Sequence, residues 1–282
     1  MSNVTMRITE IEVVPYNRLW PFWFQEEQDL LAKALADNCI AVYHIGSTSI
    51  PNLCAKPKID IIAVVKVQDD AHAALAKLGY EYRGEFNIPL RHFFRKKQPF
   101  NINLHLYEQG NPDIELNLLF RDYLRNSAVV RDEYSALKQK LLEKKESYRK
   151  NEHQLTGYNL GKDKFIRNIL IKAGYNGLGF RFCSHHFEWE SYKRICQEQI
   201  FAPLGKIYDS NHPDLFSPDY YHFVLCKGVD IVSIAKLYLA GNNVPEIKYI
   251  ATDEPYKKRG YSPYLTKLIK KWIRTQKSFL YR

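Results

Sequence analysis

The sequence predicts an α+β protein of two units, and three observations carry that expectation. Strand-like and helix-like segments alternate over the first hundred or so residues. A helical stretch runs from Asp113 to about Lys172. Three glycines in seven residues, Gly174, Gly177 and Gly179, then interrupt regular structure before a second strand-and-helix series begins. A chain of 282 residues suits about two domains at roughly 150 residues each, and the boundaries fall at 1–173 and 180–282.

Taken in order, the elements read as a strand at Ile8–Val14, a helix from about Pro21 to Leu35, and strands at Ile40–Ile45 and Ile59–Val65. A helix at Asp70–Leu78 and strands at His92–Arg95 and Ile102–Tyr107 follow, which makes a mixed sheet. In the helical stretch, Val130, Tyr134, Leu137 and Leu141 recur at helical spacing and define a core-facing stripe. Lys138, Lys140, Lys144 and Lys145 are assigned to the solvated faces. The second unit reads as a helix over Glu188–Phe201, a hairpin of His222–Cys226 and Ile231–Leu239 turned at Lys227-Gly228, a strand at Glu246–Thr252, and a helix from Tyr261 to about Gln276. That last helix carries the apolar stripe Tyr261, Tyr264, Leu265, Leu268, Ile269, Trp272 and Ile273, with Lys267, Lys270, Lys271, Arg274 and Lys277 largely opposite.

Composition excludes several classes. Apolar residues make up 45% and charged residues 26%, which fits a folded chain rather than a disordered or fibrous one. The opening MSNVTMRITEIEVVPY has no basic segment followed by an apolar core, and no apolar run approaches the roughly 18 residues of a membrane span. A cytoplasmic protein without a membrane partner is expected. Cys39, Cys54, Cys183, Cys196 and Cys226 are odd in number and contain no C-x-x-C pair, so reduced thiols are expected rather than disulfides or a zinc knuckle. The net charge of +10 is concentrated in Lys257–Arg282, which holds nine Lys or Arg and no acid. This suits an anionic partner. Nucleic acid ranks last among the candidates, because the tail lacks an aromatic stacking motif.

Two constellations carry chemistry. In the first, His44-Ile45-Gly46-Ser47-Thr48-Ser49 follows a strand, and Asp60 stands at the start of the next. A Gly-Ser turn lets amides and hydroxyls approach phosphates, and a carboxylate on the neighbouring strand can hold magnesium against them. The segment HIGSTSIPNLCAKPKID, with Arg91-His92-Phe93-Phe94-Arg95, His105 and LLFRDYLR, closely resembles the GrpB family signature over residues 8–172. The resemblance implies a nucleotidyltransferase-like mixed sheet with helices. It assigns nucleotide contacts to His44, Gly46, Ser47, Ser49, Lys56, Asp60, Arg91 and His105, with a magnesium ion at Asp60. Working nucleotidyltransferases space two acids at i and i+2, whereas here Ile62 follows Asp60 and the later strand reads Asn103-Leu104-His105. Two-metal transfer therefore lacks its carboxylates. A Ser47/His44/Asp60 hydrolase triad lacks the G-x-S-x-G elbow.

In the second, a strand at Glu246–Thr252 leads through a basic loop into Arg259-Gly260-Tyr261-Ser262 and a helix. Unpaired amides at a helix start favour pyrophosphate, and neighbouring cations add charge. The pattern resembles the acetyl-CoA loop of the GNAT acetyltransferase family, which implies a partial GNAT α/β domain. Cofactor contacts would then fall to Ile250, Thr252, Lys257, Lys258, Arg259, Gly260, Tyr261 and Ser262, with Glu246 or Glu254 as general base for an amine acceptor, a small molecule or a protein. A whole domain of that family continues beyond the helix ending at Phe279-Leu280-Tyr281-Arg282, so the expectation is either a shortened gene or a sheet completed by a partner chain, as in a homo-oligomer. The favoured reading is N-acetyl transfer from acetyl-CoA beside a nucleotide-binding domain. The alternatives are a non-catalytic nucleotide or CoA regulator and a nucleotidyltransferase.

Overall fold

The computed structural model describes residues 10–151, 154–241 and 244–280, with side chains described to Gln276. Ile8 of the expected first strand, the side chains of Lys277 and Phe279, and Tyr281 and Arg282 lie outside the described residues. Contacts divide the chain into one unit formed by the residues up to Phe86 and Arg91–Tyr175, and another formed by Asn87–Leu90 and the residues from Asn176. Among the described residues, no helix is long and apolar enough to cross a membrane, and all five cysteines are free.

The first unit contains, in order, α1 (Trp20–Leu35), β1 (Cys39–Ile45), β2 (Ile59–Val65), α2 (His72–Lys77), β3 (Glu81–Tyr82), β4 (His92–Lys96), β5 (Ile102–Glu108), α3 (Pro112–Asn126), α4 (Ala128–Leu142), α5 (Gly157–Leu160) and α6 (Asp163–Lys172). The five strands are ordered β1-β2-β5-β4-β3, with β2 and β5 parallel and every other pair antiparallel. Period-two alternation sends Ile59, Ile61, Ala63 and Val65 of β2 and Ile102, Leu104 and Leu106 of β5 into the core under α1 and α2. Ile62, Val64 and Tyr107 face the other way, against Ile114 and Leu118 of α3. The strand expected at Ile8–Val14 does not form over its described residues. Val14 makes only an isolated bridge to Ala55.

Helix α1 is keyed to the sheet by a buried charge. Both oxygens of Glu27, which is 1% exposed, accept from Lys96 Nζ at 2.9 Å, and Tyr80 Oη donates to one of them at 2.9 Å. A carboxylate removed from water this far requires such partners.

The second unit contains β6 (Leu178–Phe182), α7 (His186–Cys196), β7 (Tyr220–Lys227), β8 (Asp230–Tyr238), β9 (Glu246–Thr252) and α8 (Tyr261–Leu280), with α7 continuing as a π turn over Gln197–Phe201. Its four strands form an antiparallel sheet ordered β6-β7-β8-β9. The sheet is buried on both faces. Phe223, Leu225 and Leu237 meet Leu265, Ile269 and Trp272 of α8, while Val224, Ile231 and Ile234 meet Tyr192, Ile195 and Cys196 of α7. Strand β6 was not expected from the sequence, because Gly177 and Gly179 read as a break. Its alternation is nevertheless present, with Leu178, Phe180 and Phe182 packing on the α8 side.

Candidate functional site

Strand register assembles the first site. Asp60 pairs with Asn103 across β2 and β5, and Asn103 pairs with Arg95 across β5 and β4. Opposed residues in a sheet share a face, so one row carries Asp60, Asn103 and Arg95 on the side away from α1. Asn103 Nδ2 donates to Asp60 Oδ1 at 2.7 Å, and His105 Nε2 lies 4.0 Å from the same oxygen. Two buried atoms in this row have no hydrogen-bond partner: Asn103 Oδ1, an acceptor, and Arg95 Nε, a donor.

The turn after β1 closes on Asp60 because Gly46 has no side chain. Its φ is +67°, and a Cβ built there would come within 2.6 Å of Asp60 Oδ2. Ser47–Ser49 then form one 3-10 turn. Lys138 Nζ of α4 donates to Ser47 Oγ at 2.7 Å and to the Cys54 carbonyl at 2.7 Å, 4.5 Å from the centre of the Tyr134 ring. Lys138 is 2% exposed, so its assignment to a solvated face is corrected. Sequence periodicity contained the signal, since Tyr134, Lys138 and Leu141, the buried residues of α4, are spaced four and three apart.

Around the single carboxylate the field is cationic. Burial pushes the Lys138 ammonium down to about 7, against a partial opposing pull from Asp60, and burial and Lys56 bring Lys162 down to about 8. Lys56 and Lys58 are also lowered, first by burial, with Asp60 opposing. Burial alone would raise the Asp60 carboxyl, but His105, Asn103 and Lys58 outweigh it and hold it below the ordinary carboxylate range. Lys58, Arg95, Asn103, Lys138 and Lys162 were missing from the sequence-derived site. They lie on five separate elements or loops, and only the fold joins them.

Several expected ligands have other work. His44 pairs with Ile61, which places it on the α1 face, opposite Asp60. There it stacks on Phe24 at 4.7 Å and bonds Thr48 Oγ1 at 3.0 Å, and burial lowers its pKa to about 4. His44 and Asp60 thus stand on opposite faces of the sheet, so Ser47, His44 and Asp60 do not line up as a triad, and the His44 ring is engaged by Phe24 and Thr48. Ser49 Oγ donates to the Gly46 carbonyl at 2.6 Å and is buried, so it closes the turn instead of offering a hydroxyl to a ligand. Arg91 is buried, donating to the Glu85 and Phe86 carbonyls and bonding His105 Nδ1 at 3.0 Å. It braces His105. Lys56 lies 4.6 Å from the Tyr158 ring centre. Gly46, Ser47, Lys56, Asp60 and His105 therefore remain together. Asp60 with Asn103 Oδ1 suits one hard cation completed by phosphate oxygens. A second has no carboxylate, since Ile62 at i+2 is buried in the apolar cluster.

In the second unit, a cavity of about 480 Å³ opens where β9 meets α8, lined by Ile250, Thr252, Lys257, Lys258, Gly260, Tyr261 and Ser262 among others. Gly260 has φ +80°, and a Cβ there would meet only open space. Thr252 Oγ1 and Ser262 Oγ share a hydrogen bond of 2.6 Å that ties the two ends of the loop. Arg259 stands outside the lining, with its guanidinium 5.8 Å from the Tyr256 ring centre. Neither expected base reaches the cavity. Glu246 begins β9, about 20 Å of strand before Thr252, and pairs with Lys248. Glu254 pairs with Lys257 on the surface. No carboxylate is among the lining residues.

A mixed α+β unit with one carboxylate set among cations at a Gly-Ser turn is the class that fold and site define. The GrpB protein family's profile matches residues 10–172, and the chain belongs to that family. UPF0157 protein YqkA of Bacillus subtilis is 37% identical over 170 residues, covering 58% of this chain and 47% of its own length. The chain thus spans about half of that relative. UPF0157 protein BH1888 of Halalkalibacterium halodurans is 34% identical over 166 residues, covering 58% of this chain and 82% of its own. The crystal structure of conserved protein GrpB from Enterococcus faecalis superposes with a TM-score of 0.50 at 34% identity, over 57% of this chain and 96% of that one. A GNAT family acetyltransferase from Staphylococcus aureus reaches a TM-score of 0.27 at 16% identity. That likeness is too distant to assign the second unit to its family.

Proposed function

We propose that the first unit binds the phosphates of a nucleotide, with at most one magnesium ion at Asp60, and does not carry out two-metal nucleotidyl transfer. One observation carries this reading: the Asp60–Asn103–Arg95 row leaves a buried donor and a buried acceptor unpaired while Lys56, Lys58, Lys138 and Lys162 all feel the Asp60 charge. Buried polar atoms without partners cost about 1–3 kcal/mol each, which a phosphate with its cation would offset. Titration calorimetry with ATP and magnesium tests it. Micromolar binding is expected, weakened about tenfold or more by Arg95→Ala, with no turnover of radiolabelled ATP. Absence of heat at millimolar nucleotide would sink the proposal, and steady turnover would replace it with the transferase reading.

A second reading belongs to the second unit, whose cavity gathers lysines, a glycine turn and the amino end of α8. This supports a coenzyme A thioester as ligand, since helix-start amides and cations favour a pyrophosphate. N-acetyl transfer to an amine, from acetyl-CoA bound there, is the reaction such a site would serve, its base coming from outside the lining residues. Acetyl-CoA binding that weakens on Gly260→Val supports it; no heat at millimolar acetyl-CoA counts against it.

A further inference from the structure

We infer that Asp69, His72 and His92 form a binding site for a divalent transition-metal ion of the zinc class, separate from the nucleotide site. Asp69 and His72 are three residues apart in the 3-10 turn Asp69–Ala71 and the start of α2, a spacing that puts both on one side of a helical turn. His92 opens β4 and pairs with Leu106, so it faces the α1 and α2 layer, on the opposite side of the sheet from Asp60. One ligand atom from each residue lies within 4.8 Å of the other two.

The chemistry of the donors selects the ion. Two imidazole nitrogens are borderline donors, and together with one hard carboxylate oxygen they suit zinc, cobalt or iron dications and suit magnesium or calcium poorly. His72 Nε2 and His92 Nδ1 stand 2.8 Å apart with room for one hydrogen between them. In a tetrahedral zinc site with Zn–N bonds near 2.05 Å the two nitrogens would be about 3.3 Å apart, so a shift of about half an ångström admits the ion. That hydrogen then moves to another ring nitrogen or to solvent. The Tyr82 ring packs on His72 at 4.6 Å and on His92 at 5.5 Å, and Phe94 packs on His72 at 5.0 Å. These rings fix both imidazole orientations and exclude water from one side. Asp69 is exposed and gives the ion its way in. Three protein ligands leave a fourth position for water, the ligand count of reactive rather than closed structural zinc sites.

Cobalt is the probe, because a low-coordinate Co²⁺ absorbs visibly where hydrated Co²⁺ barely does. The whole chain, stripped with a chelator, should take up one Co²⁺ with an intense visible spectrum, and Zn²⁺ should displace it. Asp69→Asn, at an exposed position that leaves the fold intact, should weaken binding about tenfold or more. His72→Gln should abolish the spectrum while circular dichroism stays native. Absence of both a cobalt spectrum and zinc-binding heat at millimolar metal overturns the site. So does binding that Asp69→Asn or a folded His72→Gln leaves unchanged.

Discussion

Gly46 shows what a single missing side chain does here. With φ at +67° and an Asp60 oxygen 2.6 Å from where a Cβ would stand, any other residue pushes the turn off the carboxylate. Gly46→Ala is expected to destabilise the first unit by about 1–3 kcal/mol, seen as a lower urea midpoint, and to abolish nucleotide binding. Lys138 gives a pH signature. Its folded pKa of about 7 lies below the ordinary 10.5, so between those values the unfolded chain binds the extra proton and stability rises with pH. Melting curves from pH 7 to 10 should show wild type gaining about 3–4 kcal/mol relative to Lys138→Met, whose curve lacks this component. A parallel pair of curves would show that the ammonium is not desolvated. Gly46 and Asp60 were legible from the sequence because a glycine turn and an acid at a strand start are local signals. Lys138 was passed over although its spacing from Tyr134 and Leu141 sets it on their buried face, since a lysine in a polar-looking helix is ordinarily solvated.

Elements were easier to read than their faces. Strands β1, β2, β5, β8 and β9 and helices α1 and α8 fall within two residues of expectation at their amino ends, because their apolar periodicity is unbroken. Faces failed where register decides them. His44 lies on the opposite side of the sheet from Asp60 because β1 runs antiparallel with Ile45 paired to Asp60, a pairing that no local pattern encodes. Strand β6 was hidden by its glycines. The stripe of helix α8 was legible in part: Leu265, Ile269 and Trp272 are buried, whereas Tyr264 is exposed. Trp272→Ala should cost about 3–5 kcal/mol, read by hydrogen exchange as faster opening of β7, β8 and α8, with the strands of the first unit unchanged. Uniform acceleration across both units would contradict that separation.

Across the molecule, the family profile and its relatives address residues 10–172, while the second unit stands on its own physics. Its sheet, covered by a helix on each face, needs no likeness to explain why it folds. Glu27 has a different consequence for the first unit. Hydrophobic contact between α1 and the sheet is nondirectional, and a helix displaced by one turn would bury almost as much apolar surface. Such a displaced packing would strand the Glu27 carboxylate away from Lys96 and Tyr80 in a dry interior, at a cost of several kcal/mol. The ion pair thus acts as an address label: it adds little to the depth of the native well while raising the energy of the near-miss arrangements around it.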